Sequence, residues 1–426
     1  MLFWAAFSLI CLLLVAGTIN RPSIAMIGIW CMYGLEQWAQ SNQIIFIEKS
    51  WLINIFIGVN ALIGFLLMGF KRGNPFKNYP MLAILILILF AYSFISVQWS
   101  PRIDLSYDLW RKFWPYLITL LIINPLLFSK HEDIKPVLSY FVIIGGILVY
   151  MLAFEVEWFH RRIVLTGGRG GFSHYLNEQL GNPLTVAQLG GYVFFSALLI
   201  KEHSIKILKI LKWPIAALCL VLIIRSGSRG QLIGVFFSLM LTWPLVNKVS
   251  NIKGFFTILF LLASITWVVT WSLDEFWKGS SRWKDSEMEQ SMGGRFDNAF
   301  VLLDHWGRSG IKMFIGLGNS ASFDPRILGI YPHFLPFEIL GEEGIIGFSL
   351  YILILIFLLK TIIRTYKKIK LDIKMNQYAA VLLSMVFYSF LLSLKQGSLL
   401  GNMEFFMAAI ILAKYEKIVE NTHRSG

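Results

Sequence analysis

The stretch "PMLAILILILFAYSFISVQ", residues 80–98, carries no charge over a length that can cross a bilayer. Runs of this kind recur along the chain. A hydrocarbon layer of about 30 Å takes about 20 apolar residues as helix. Inside it, every backbone N–H and C=O must be satisfied without water, which leaves helices or a closed barrel. A barrel would read as alternating segments of about ten residues, and the runs here do not alternate. They predict an all-α polytopic membrane protein. Composition agrees: over 426 residues, 56% are hydrophobic and mean hydropathy is +0.65.

Spans are predicted at roughly 2–18, 22–36, 51–70, 80–98, 113–128, 136–157, 184–200, 211–225, 230–246, 254–272, 337–359, 377–394 and 400–413. That is a bundle of about 12 or 13 transmembrane helices, depending on how the short runs at either end are counted. The first run lacks a basic start and a small-x-small cleavage site, so it reads as a retained span rather than a removed signal peptide. The chain is expected to form a single integral membrane domain over 1–426. It carries one large loop, 273–336, too long to be a mere connector. Within that loop, "FDNAFVLLDHWGRSGIKMF" (296–314) spaces Phe296, Phe300, Leu303 and Trp306 as an amphipathic helix would.

Net charge is +13. Most lysines lie in short loops such as "KRGNPFK" (71–77), "KEHSIKILKILK" (201–212) and "KTIIRTYKKIKLDIK" (360–374). The charge is therefore read as topology rather than nucleic-acid binding, with these loops cytoplasmic. The opposite side then carries 37–50, 99–112, 158–183, 226–229, 273–336 and 395–399. Lysine dominates the first side and arginine the second. Cys11, Cys31 and Cys219 all sit in apolar segments and give neither metal spacing nor a disulfide framework. Nucleotide-binding and HExxH motifs are absent, and no Asp-x-Asp pair offers a metal site. No cofactor and no metal are expected.

Two segments could carry chemistry. Arg161, Arg162, Arg169, Arg225 and Arg229 cluster in 158–183 and 225–229 with Glu178 as their acid. A planar guanidinium fork suits phosphate, and charges at a membrane edge point first to function. His333 precedes a span whose first turns carry Glu338, Glu342 and Glu343. An imidazole there could act as general base. The structural reading stands beside it: carboxylates are stabilised at a helix N-terminus by its dipole alone, and His333 can be an ordinary loop residue.

Four pieces resemble the O-antigen ligase and O-antigen polymerase superfamily, over about 160–395. They are "RIVLTGGRGGFSHYLNEQLGNPLTVA" (162–187), "SGSRGQLIG" (226–234), "GGRFDNAF…FIGLG" (293–318) and "HFLPFEILGEEGIIG" (333–347). In the last, His333, Glu342, Gly344 and Gly347 follow the family signature, with Phe334 where the family carries a polar amide or hydroxyl. The resemblance implies an inverting, metal-independent glycosyltransferase of the bacterial inner membrane, active on the periplasmic side. It would move a glycan en bloc from undecaprenyl diphosphate to a hydroxyl. The acceptor would be lipid A–core for a ligase, a second lipid-linked glycan for a polymerase, or a protein in a third class. It implies that His333 is the catalytic base and that Glu342 orients it. Arg229 and Arg295, helped by Arg225 and Arg169, would bind the diphosphate. The competing reading is a transporter or flippase of an anionic or lipid-linked solute. Membrane lipids are expected partners either way, and nucleic acid is not.

Overall fold

The computed structural model describes residues 2–159, 161–165, 179–246, 256, 285–369, 373–395 and 398–425. Among them, six helices are long and apolar enough to cross a membrane: Phe3–Asn20, Trp51–Arg72, Met81–Trp99, His131–Phe154, Leu335–Lys368 and Asn376–Ser393. Pro183–Leu199 and Gly230–Val246 are apolar but shorter. The chain is an all-α, multi-pass membrane protein. The span predicted at 254–272 lies outside the described residues. The helices form two compact units, 1–77, 126–280 and 369–388 in one, 78–125, 281–368 and 389–426 in the other.

In the first unit, helix Pro183–Leu199 packs on Leu208–Arg225 and on Ile134–Phe154, and Ala25–Asn42 packs on Trp51–Arg72. Membrane helices gain little from the hydrophobic effect against one another, so close approach of small residues has to hold them together. Gly191 shows it: a methyl group there would stand 2.5 Å from the ring of Tyr388. The start of Pro183–Leu199 explains the Asn-Pro pair. Asn182 Oδ1 accepts from Leu184 N at 2.9 Å, and Pro183 occupies the first turn, where no N–H is missed. Gln37 Nε2 donates to Thr185 Oγ1 at 2.7 Å and ties this cap to the neighbouring helix.

A small antiparallel sheet, not expected from the sequence, follows Ile134–Phe154. Its strands are β1 (Trp158–Phe159), β2 (Arg162–Leu165) and β3 (Gln179–Leu180), in that order. Trp158 pairs with Ile163, and Val164 with Leu180. Ile163 and Val164 are both buried, so the strand is covered on both faces there.

In the second unit, the span expected at 113–128 is built differently. A helix begins earlier, at Ile103–Leu117, and passes into a wider π turn at Ile118–Ile123 before Asn124–Leu126. Pro125 has no N–H to return to Leu121 O, and the Tyr79 hydroxyl donates to that oxygen at 3.3 Å. Lys414, fully buried, donates to Pro125 O at 2.8 Å. The helix Met403–Ser425 that carries it also packs on Met81–Ser96, with Phe90 and Phe406 edge to face. In the large loop the helix runs over Asp285–Gly307, earlier than the expected 296–314, and a short turn of helix follows at Lys312–Ile315.

Candidate functional site

The apolar run after His333 is not one straight helix. The helical segment Leu335–Ile369 is broken at Gly344, whose φ of 67° and ψ of −167° are not helical. Such a break is tolerated in a membrane protein only where protein re-satisfies the freed backbone. Here the Gly-Leu-Gly segment does so. Leu317 N donates to Gly341 O at 3.0 Å, and Gly318 N to Glu342 O at 2.9 Å. The two chains touch backbone to backbone. A methyl group on Gly344 would overlap Gly316 N, and one on Gly318 would lie 2.5 Å from Ser100 Cα. The spacing of these glycines is thus a packing requirement.

Side chains complete the clamp. Glu342 Oε2 accepts from Ser320 N at 2.7 Å, and its Oε1 from Ser322 N at 3.0 Å and Ser322 Oγ at 2.6 Å. Glu343 Oε1 accepts from Ser93 Oγ at 2.6 Å. Glu338 Oε1 accepts from Leu399 N at 2.8 Å. All three glutamates are buried. Among the described residues, Glu338 Oε2 and Glu343 Oε2 are buried without a hydrogen-bond partner, and such orphans in a native fold call for an explanation in strain or function.

The residues that the sequence reading missed sit on the helix Met81–Ser96 and just beyond it. Asn319 O accepts from both Ser100 Oγ and Ser106 Oγ at 2.7 Å. Asn319 N donates to Ser96 Oγ at 3.0 Å, and Asn319 Nδ2 to Ser93 Oγ at 3.0 Å. Trp99 Nε1 donates to Gly316 O at 3.1 Å, and Arg102 Nη1 to Phe323 O at 3.1 Å. A signal was available: Ser93, Ser96 and Ser100 recur at three- and four-residue spacing on one face of an otherwise apolar run.

His333 stands just before this clamp. Its φ is 60°, in the left-handed region, and its ring lies 4.0 Å from that of Tyr331. Non-glycine residues adopt this backbone uncommonly, histidine more readily than most. The next residue, Phe334, packs against Phe296 with ring centroids 5.7 Å apart, and Phe337 packs against Phe300 at 5.9 Å. Phe296 follows Arg295. The contact joins the helix Asp285–Gly307 to the segment that follows His333. Of Arg295, the backbone in Asp285–Gly307 is described. Beyond the clamp, Asp324 is bound by Arg326 at 2.7 Å. The Arg326 guanidinium and backbone N–H hold its carboxyl down to about 2.

The other predicted residues belong to the first unit. Arg225 ends Leu208–Arg225, and Arg229 begins Arg229–Val246. Gly227, with φ of 63°, makes the turn between them. The Arg161 side chain lies against Gly227 where a β-carbon would otherwise sit. Arg225 Nη1 donates to Ala153 O near the C-terminus of Ile134–Phe154, an end that favours a cation. Its guanidinium lies 5.5 Å from the centre of the Trp158 ring. Ser226 Oγ donates to Ile223 O at 2.6 Å, while the buried Ser228 hydroxyl has no hydrogen-bond partner among the described residues. Arg169 lies outside the described residues.

Fold and site together define a multi-pass helical membrane protein whose second unit holds a histidine beside a glycine-hinged, glutamate-clamped loop. No protein-family model matches the sequence, and no curated protein matches it.

Proposed function

We propose that the chain is a glycosyltransferase of the bacterial inner membrane, acting at the periplasmic side, which moves a glycan from undecaprenyl diphosphate to an acceptor hydroxyl. The observation that supports this reading is the Phe296–Phe334 contact, whose two residues are the chain neighbours of Arg295 and His333. An arginine and a histidine are the two functions such a transfer needs. As the acceptor oxygen attacks the anomeric carbon, the bond from that carbon to the diphosphate oxygen breaks, and negative charge grows on the leaving diphosphate. Arg295 stabilises that charge, and His333 takes the proton from the acceptor oxygen. Displacement from the opposite face inverts the anomeric centre. The donor is already activated, so no nucleotide is consumed.

The diphosphate-binding roles of Arg229, Arg225 and Arg169 rest on the sequence, on the arginine clustering and on the resemblance. Arg225 also has a structural duty, through Ala153 O and Trp158. Glu342 serves here as a positioning residue, because its two oxygens hold the loop at Ser320 and Ser322. The loop, clamped to the helix that follows His333, fixes where that histidine leaves the chain.

The test is transfer by the purified protein in lipid vesicles, supplied with undecaprenyl-diphosphate-linked glycan and either lipid A–core or a second lipid-linked glycan. Glycan on lipid A–core identifies a ligase, and a ladder on the lipid carrier a polymerase. Failure of both, with the substrates shown to reach the protein, overturns the reading.

A further inference from the structure

A groove of about 500 Å³ runs between Met81–Ser96 and Ile103–Leu117 in the second unit. It is lined by Leu87, Phe90, Phe94 and Ala91 on one side and by Trp110 and Trp114 on the other, and it continues to Leu117 and Ile118. Its polar members, Tyr107 and Arg111, lie toward one end. Phe94 meets Trp110 edge to face at 5.2 Å. Leu117 and Ile118 lie along the chain at the end of the lining away from Tyr107.

The groove's apolar part covers about two-thirds of one leaflet: from Leu87 to Phe94, and from Arg111 to Ile118, a helix rises about 10 Å, against about 15 Å for half of a 30 Å hydrocarbon core. Phe94, Tyr107 and Trp114 are 46%, 42% and 53% exposed, so their apolar surface is left uncovered. Tyr and Trp gather at headgroup level, and the groove carries Tyr107, Trp110 and Trp114 around its cationic end. Arg111 is paired with Asp108 at 3.3 Å, but the two side chains are 77% and 58% exposed. A pair so wet holds the guanidinium weakly and leaves its remaining donors for a phosphate.

We propose that this groove holds the acyl chain of an anionic phospholipid, with its phosphate at Arg111. The apolar trough takes the headgroup-proximal part of one acyl chain, and the arginine at its mouth selects a negative headgroup. The inference rests on the membrane fold alone and is independent of the glycosyl-transfer reading.

The experiment is native mass spectrometry of the purified full-length protein, titrated with phosphatidylglycerol, phosphatidylcholine or undecaprenyl phosphate. Phosphatidylglycerol is expected to be retained about fivefold more strongly than phosphatidylcholine, the worth of one cationic contact at a membrane surface. Arg111→Glu removes that preference. Ala91→Trp, at an exposed position in the trough, lowers retention of both phospholipids. Equal retention of the two phospholipids by the wild-type protein overturns the proposal. So does undiminished phosphatidylglycerol binding in both variants. Displacement of phosphatidylglycerol by undecaprenyl phosphate, with that binding lost in Ala91→Trp, assigns the trough to the polyprenyl chain and also overturns it. None of these outcomes bears on whether glycan transfer occurs.

Discussion

Phe296 and Phe334 pack with ring centroids 5.7 Å apart, and each is a chain neighbour of a residue the sequence had singled out, Arg295 and His333. The contact is an ordinary aromatic pairing. Its consequence is a seam between the helix Asp285–Gly307 and the start of the helical segment after His333. Shortening Phe334 to Leu, which keeps an apolar side chain there, is expected to reduce transfer more than it reduces thermal stability in detergent. Equal loss of both would reduce the seam to packing.

Gly344 tests the hinge. Its backbone lies in a region populated almost only by glycine, where another residue costs about 1–3 kcal/mol before any clash is counted. A β-carbon there would also overlap Gly316 N. Gly344→Ala is expected to lower the melting temperature and to expose the 316–324 segment to protease. A variant as stable and as protected as wild type would mean that the break in the helix is not obligatory.

Glu342→Gln separates clamp from chemistry. The amide oxygen can still accept from Ser322, but the amide nitrogen then faces Ser320 N, donor against donor. A buried N–H left without an acceptor costs about 1–3 kcal/mol. A drop in unfolding free energy of that order, measured by denaturant titration of the solubilised protein, is expected. Wild-type stability with abolished transfer would assign Glu342 to the reaction itself.

Much of the helical framework was legible because the requirement to span lipid leaves little choice of structure. The break at Gly344 was hidden for the same reason: Ile345 and Ile346 continue the apolar run, and hydropathy does not register a backbone rotation. The sheet of Trp158–Phe159, Arg162–Leu165 and Gln179–Leu180 escaped because its strands are two to four residues long, too short to show alternation. The glutamates near His333 were visible as charges, but their partners were not. Ser320 and Ser322 stand about twenty positions away, and Ser93 about two hundred and fifty. Such distant pairing has no local signature. The helix start at Ile103 was missed because Asp104, Asp108 and Arg111 make that stretch polar.

His203 gives a pH dependence outside the spans. Burial, then the nearby charge of Lys212, pushes its imidazole from 6.5 down to about 4. The unfolded chain therefore binds the proton more readily, and stability rises with pH across that interval. Between pH 6.5 and 4 the solubilised protein is expected to lose stability as the pH falls, and His203→Gln to flatten that part of the profile. An unchanged slope in the variant would show that His203 is not the group responsible.

A chelator should leave transfer intact if arginines carry the leaving-group charge. Loss of turnover in EDTA, restored by a divalent cation, would require a metal in that role.

The most direct test is the initial rate of glycan transfer by His333→Ala in vesicles containing purified undecaprenyl-diphosphate-linked glycan, with thermal stability measured on the same preparation. A rate lower by about 10²–10⁴-fold is expected for a lost general base, at near wild-type stability. Turnover close to wild type in the folded variant would contradict the assignment of His333 to the chemistry.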